Sequence, residues 1–148
     1  MNFNEVEVFV KDKLKQYSLN EWTFKWNFSR RYFGMCSYQK KQIILSKLFV
    51  VKNSHIDTID TALHEIAHAI AGPNTGHNKL WKNIAKNLGA IPKATYDGQK
   101  IIIPYRYELV CINCNFKTYK NKISKHALYY HPTCSTKTKQ GIFKYKTL

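Results

Sequence analysis

Residues 64–77 read HEIAHAIAGPNTGH, three histidines and a glutamate within fourteen residues, interrupted by Gly72, Pro73 and Gly76. On a helix, residues four apart lie one turn apart on the same face. His64 and His68 can therefore address one metal ion. Glu65, one residue on, can reach a water held by that ion without being a ligand, which is the mechanical content of H-E-x-x-H. A catalytic zinc of this kind takes a third protein ligand and keeps a fourth position open. After a helix stop and a glycine-containing turn, His77 is placed to return to the metal. The competing reading makes these residues polar groups on a half-buried helix. It leaves two imidazoles and a carboxylate beside an apolar face with no evident partner, an expensive arrangement. A metzincin would need Gly three residues after the second His and a third His three further on. Those positions are Ala71 and Asn74, so that pattern fails.

The flanks support a helix. Ser54 and Asp57 can cap and charge its start, and Ile56, Ile59, Leu63, Ile66, Ala67 and Ile70 mark an apolar face. A further helix is expected over 78–89, NKLWKNIAKNLG, with Leu80, Trp81, Ile84, Ala85 and Leu88 inward and Gly89 as its stop. Upstream, Val6, Val10, Leu14 and Tyr17 recur at helical spacing. WTFKWNF (22–28), YFGMCSY (32–38) and QIILS (42–46) then read as strands of a small antiparallel sheet. Gly34 inside the second run marks a bulge or a close backbone approach. Cys36 reads as a small core residue on that strand. Residues 101–110, IIIPYRYELV, suggest a strand leading into the first cysteine pair. The fold class expected is α+β, with a catalytic-type domain over 1–104 and a small β module over 105–148.

The chain has 148 residues and carries 24 Lys plus Arg against 9 Asp plus Glu, a net charge of +15. Residues 105–148 hold nine of the basic residues and one acidic, about half the excess. Such a balance attracts polyanions, chiefly nucleic acid. The abundance of Lys, Asn, Ile and Tyr also suits an AT-rich genome, which weakens that inference. Hydrophobic content is ordinary for a folded chain. No apolar run approaches the roughly 18–20 residues that span a bilayer, and no membrane association is expected. The N-terminal stretch MNFNEVEVFVKDKLKQYSL mixes acidic with apolar residues and lacks a small-residue cleavage site, so it reads as neither signal nor transit peptide. An intracellular protein is expected, cytoplasmic or in the nucleoid or nucleus, not secreted, and monomeric.

TALHEIAHAIAG and GHNKLWKNIAKNLGA together resemble the core of the SprT-like zinc metalloproteases, the group that includes the Spartan DNA–protein crosslink proteases. Upstream, FGMCSYQKKQIILSKLFV is similar to that family's strand pair. A zinc-ribbon-like tail extends the resemblance, which covers roughly residues 20–140. It implies a zincin-like catalytic domain with His64, His68 and His77 as zinc ligands and Glu65 as catalytic base. It also implies DNA, single-stranded or junction-containing, as a partner, and DNA-bound proteins as substrates.

The tail departs from the family's pattern. Cys111-Ile-Asn-Cys114 is a knuckle after a strand, but the second half is His131-Pro-Thr-Cys134, with His in place of a first Cys. Three Cys and one His suit a structural zinc, with His126 as the rival fourth ligand. That zinc would be the second in the chain. Bases and aromatics interleave here, and Lys117, Lys120, Lys122, Lys125, Lys137 and Lys139 are candidate phosphate contacts. Arg30 and Arg31, with Lys40 and Lys41, form a second candidate path. Tyr96, Tyr105 and Tyr107 are candidates for an extra oxyanion donor. Two other readings remain: a non-enzymatic zinc-containing nucleic-acid adaptor, and a general zinc peptidase without DNA dependence.

Overall fold

The computed structural model describes residues 2–94, 103–124, 126–134 and 142–148. The chain divides into two compact units, Met1–Ile102 and Ile103–Leu148.

The first unit opens with α1 (Phe3–Gln16), capped by the Asn2 side chain, which buries Val6, Val10 and Leu14. Three strands follow: β1 (Thr23–Asn27), β2 (Gly34–Ser37) and β3 (Gln42–Ser46). They form one sheet in the order β1-β3-β2, with β1 parallel and β2 antiparallel to β3. The expected antiparallel sheet is thus a mixed one. The reason lies in the connections. Residues 38–41 form a tight turn, Lys41 N–H donating to Tyr38 O, and a tight turn forces β2 and β3 antiparallel. Fourteen residues separate Asn27 from Gln42, enough for the crossover that a parallel pair needs. Ile43, Ile44 and Leu45 are all buried, so β3 takes the centre, covered on both faces.

A short helix α2 (Lys47–Val50) leads to α3 (His55–Ala71). Ser54 caps α3, its Oγ accepting from Asp57 N–H at 3.1 Å. Substituting such a cap by alanine costs about 1 kcal/mol. The inward stripe of α3 runs through Thr58, Ala62, Leu63, Ile66, Ala67 and Ala69. Ile56, expected on that stripe, is 78% exposed. It sits in the first turn of α3, ahead of Thr58, the first residue of the helix to be buried. Gly72 ends α3 at φ 86°, ψ 169°, a region open essentially to glycine alone. Then α4 (Lys79–Leu88) is capped by Asn78 and stopped by Gly89. Trp81, Ala85 and Leu88 turn inward and Ile84 is half-buried, but Leu80 is exposed, contrary to expectation. Once the Trp81 indole is buried, Leu80 lies about 100° off the packed face.

The second unit is a three-stranded sheet, β4 (Tyr107–Cys111) between β5 (Lys117–Lys120) and β6 (Phe143–Thr147), both antiparallel to it. The strand expected over 101–110 starts only at Tyr107; residues 101 and 102 lie outside the described ones. Its described buried residues are Glu108, Leu109 and Cys111. A core this small does not ordinarily hold a fold without a staple.

Candidate metal centres and basic surface

Three imidazoles converge at the C-terminal end of α3. His77 Nε2 lies 3.1 Å from His64 Nε2 and 3.1 Å from His68 Nε2. The helix delivers His64 and His68 from one face. Gly72, Asn74 and Gly76, all at positive φ, turn the chain back so that His77 meets them. Hydrogen bonding alone explains this cluster poorly, since a neutral imidazole Nε2 offers either one proton or one lone pair. A tetrahedral zinc with bonds of ~2.0–2.1 Å would set its nitrogen ligands about 3.3 Å apart. The donor set therefore fits zinc. Among the described residues no fourth Cys, His, Asp or Glu joins the three.

Burial, and then the neighbouring imidazoles, push His64 and His68 down to about 4. His77 is lowered as well, by burial first and then by Lys82. At neutral pH all three are uncharged, the state in which imidazole binds a metal.

Glu65 leaves α3 on a different side from the histidines and meets strand β2. Burial pushes its carboxyl up to about 7, and the backbone N–H of Cys36 donates to it. Neighbouring side chains brace the cluster. The Tyr38 hydroxyl lies 2.9 Å from His68 O and 3.0 Å from Gly72 O, sharing its proton between carbonyls at the open end of α3. Trp81 is fully buried, with its ring 4.6, 5.2 and 4.5 Å from those of His64, His68 and His77. Trp81 Nε1 has no hydrogen-bond partner among the described residues. Neither the Tyr38 nor the Trp81 role was visible in the motif. The period-two spacing of Gly34, Cys36 and Tyr38 was the available signal that these three share a face.

A second cluster lies in the second unit. The ligand atoms of Cys111, Cys114, His131 and Cys134 all lie within 4.8 Å of one another. His131 Nδ1 is 3.2 Å from Cys114 Sγ and 3.3 Å from Cys134 Sγ, and its ring stacks on Phe116 at 4.5 Å. Burial opposes ionisation of Cys111, but the N–H groups of Asn113 and Cys114 bring its thiol below the ordinary value. All four cysteines are free of disulfides. His126, the rival ligand, is exposed and outside the cluster. Four donors make a closed set, the structural type.

The basic residues divide between the units. Lys120 and Lys122 are exposed, with Lys120 over the Tyr129 ring at 5.2 Å. Lys117 is exposed but lies 3.3 Å from the buried carboxylate of Glu108, which Lys146 also meets at 2.8 Å. Lys146 first, then Lys117, holds that carboxyl below its usual range. Lys117 and Lys146 are therefore partly neutralised, whereas Lys144 is exposed with no ion pair among the described residues. Lys125, Lys137 and Lys139 lie outside the described residues, as does Tyr96. Arg31, Lys40 and Lys41 are exposed and Arg30 half-buried, all in the first unit; Tyr105 and Tyr107 belong to the second. No described helix is long and apolar enough to cross a membrane.

Residues 2–100 match the family model described as SprT-like family. No curated protein matches the chain.

Proposed function

The chain belongs to the SprT-like family, and from that premise we propose that it is a zinc-dependent metalloendopeptidase acting on proteins held on DNA. One observation carries the proposal. Three imidazoles converge on one point, Glu65 follows the first of them in the chain, and no fourth ligand joins them among the described residues. A closed, purely structural zinc would have that fourth ligand, so the geometry speaks against the adaptor reading.

When bound, zinc supplies an acidified water and polarises the scissile carbonyl. His64, His68 and His77 would hold it, with no fourth protein donor among the described residues. Glu65 accepts the proton of the attacking water and passes it to the leaving amine, so that one carboxylate serves as base and then as acid. The Cys36 N–H orients that carboxylate, Trp81 supports the imidazoles, and Tyr38 fixes the end of the helix that carries His68.

Cys111, Cys114, His131 and Cys134 would hold a second zinc, which staples a unit whose apolar core is too small to fold alone. The exposed lysines of that unit supply the DNA-binding surface. Changing Lys120, Lys122 and Lys144 to Gln should weaken binding of single-stranded DNA. For every phosphate no longer neutralised, the slope of log affinity against log salt should also flatten by about 0.7. Titration at several salt concentrations measures it. An unaltered slope moves the DNA surface to Arg30, Arg31, Lys40 and Lys41. The direct test of the substrate class compares cleavage of a DNA-binding protein with and without DNA. Rates indifferent to DNA, at low and physiological salt, would leave a general peptidase.

A further inference from the structure

We propose that Gly34 is a positioning residue for Glu65: its missing side chain lets the edge of β2 close on the carboxylate, so that main chain sets where the base points. This rests on the reading of Glu65 as the proton acceptor.

Glycine is not required at position 34 by backbone conformation, since among the described residues the glycines at positive φ are Gly72, Gly76 and Gly89. Nor does it mark a bulge. The pairing with β3 runs without a break from Gly34–Leu45 through Ser37–Gln42. What Gly34 supplies is room. A Cβ built there would lie 2.7 Å from Glu65 Cγ, 2.8 Å from Glu65 Oε1 and 3.0 Å from Thr61 Cγ2. Carbon atoms in contact ordinarily sit about 3.5–4.0 Å apart. Thr61 cannot readily yield, because its hydroxyl donates to Asp57 O at 2.8 Å and fixes its rotamer. The Glu65 side chain is the part that would move.

The strand offers something in return for closeness. Ser46 N–H donates to Phe33 O, which marks a hydrogen-bonded pair. By the alternation of an antiparallel ladder, the next pairs, Gly34–Leu45 and Cys36–Ile43, turn their polar backbone groups away from each other. The outward N–H of Cys36 is the one that reaches Glu65. Only a strand pressed against α3 brings that N–H within range, and a side chain at position 34 would hold it off. Strand and helix thus form a slot with two functions, clearance at Gly34 and a hydrogen bond at Cys36.

The test uses the full zinc-loaded chain and two substitutions, Gly34→Ala and Glu65→Ala, alone and combined. Gly34→Ala should retain wild-type zinc content and lose about 100-fold in kcat, the scale of a base displaced by about 1 Å, with KM changed less than about twofold. The Cys36 amide, followed by hydrogen exchange and its nitrogen–proton NMR signal, should lose protection. Gly34→Ala should also lower the melting temperature, and in the Glu65→Ala background, where Cγ and the carboxylate are gone, the added methyl no longer meets residue 65. There the drop in melting temperature on Gly34→Ala should be clearly smaller. An equal drop in melting temperature in both backgrounds, or a Cys36 amide untouched by Gly34→Ala, would overturn the proposal. The amide measurement needs no activity. A wild-type chain without proteolysis would therefore sink the protease reading, while the Cys36 signal still decides whether Gly34 sets the place of Glu65.

Discussion

Glu65→Gln should lower proteolysis by about two to four orders of magnitude, the span of a general base removed, while zinc content stays at the wild-type level. Both halves of this result follow from where the side chain lies. Glu65 stands outside the set of three converging imidazoles, so its loss removes no ligand. Gln is isosteric, and its carbonyl oxygen still accepts from the Cys36 N–H, so the slot beneath β2 stays filled. Stability should not fall at neutral pH. Burial raises the folded carboxyl to about 7 from an ordinary value near 4.5. Between those values the folded state binds more protons than the unfolded one, and stability declines as pH rises through the window. A neutral amide is free of that decline, so with zinc removed the variant should melt at or slightly above wild type at pH 7. Metal analysis, thermal unfolding and a protease assay on one preparation suffice. Marked zinc loss would turn Glu65 into a ligand; substantial residual cleavage would end the mechanism.

The second large effect is in metal stoichiometry. The paired change His64→Ala, His68→Ala removes two of three donors from the first cluster and none from the second. Zinc per chain should fall from two to one, and cleavage should vanish. The second unit should keep its ion, because its four donors are contributed entirely by residues 111–134. The reciprocal pair, Cys111→Ser with Cys114→Ser, should also leave one zinc per chain. That variant retains Glu65 and all three histidines. Zinc dropping to none after the histidine changes would mean that the second cluster does not hold metal on its own. An unchanged content would mean that the imidazole cluster holds none.

How the histidines meet could be read from residues 64–77, because helical spacing and chain-reversing Gly and Pro are local matters. Arrangements that depend on tertiary neighbours were less open. Alternation in WTFKWNF and YFGMCSY shows which side of a strand is covered, but not which strand lies beside it or in which direction. The parallel β1–β3 pair was hidden for that reason. Leu80 and Ile56 look like core residues by type, and only the burial of Trp81 beside the one and the place of the other in the first turn of α3 show why both stay exposed. Gly34 could be read as a bulge or as a close approach, and the unbroken ladder decides for the second. That the approaching group is Glu65, thirty-one residues further on, required the fold. The support that Trp81 gives the imidazoles was equally non-local.

The order β1-β3-β2 also bears on how the domain assembles in time. β2 and β3 are neighbours in sequence and share a four-residue turn, and hairpins of this kind close within about 1–10 µs. β1 can complete its parallel ladder only after the chain has travelled out through β2 and back along β3, a longer loop with a larger closure entropy. The strand that cradles Glu65 thus belongs to the early hairpin, and β1 docks late. Destabilising substitutions in β1, such as Phe24→Leu, should accelerate unfolding and hardly slow folding, whereas Ile43→Val at the hairpin should slow folding. Stopped-flow chevrons for the two variants would show opposite arms displaced. Nascent chains would then acquire the edge that meets Glu65 before the sheet is whole.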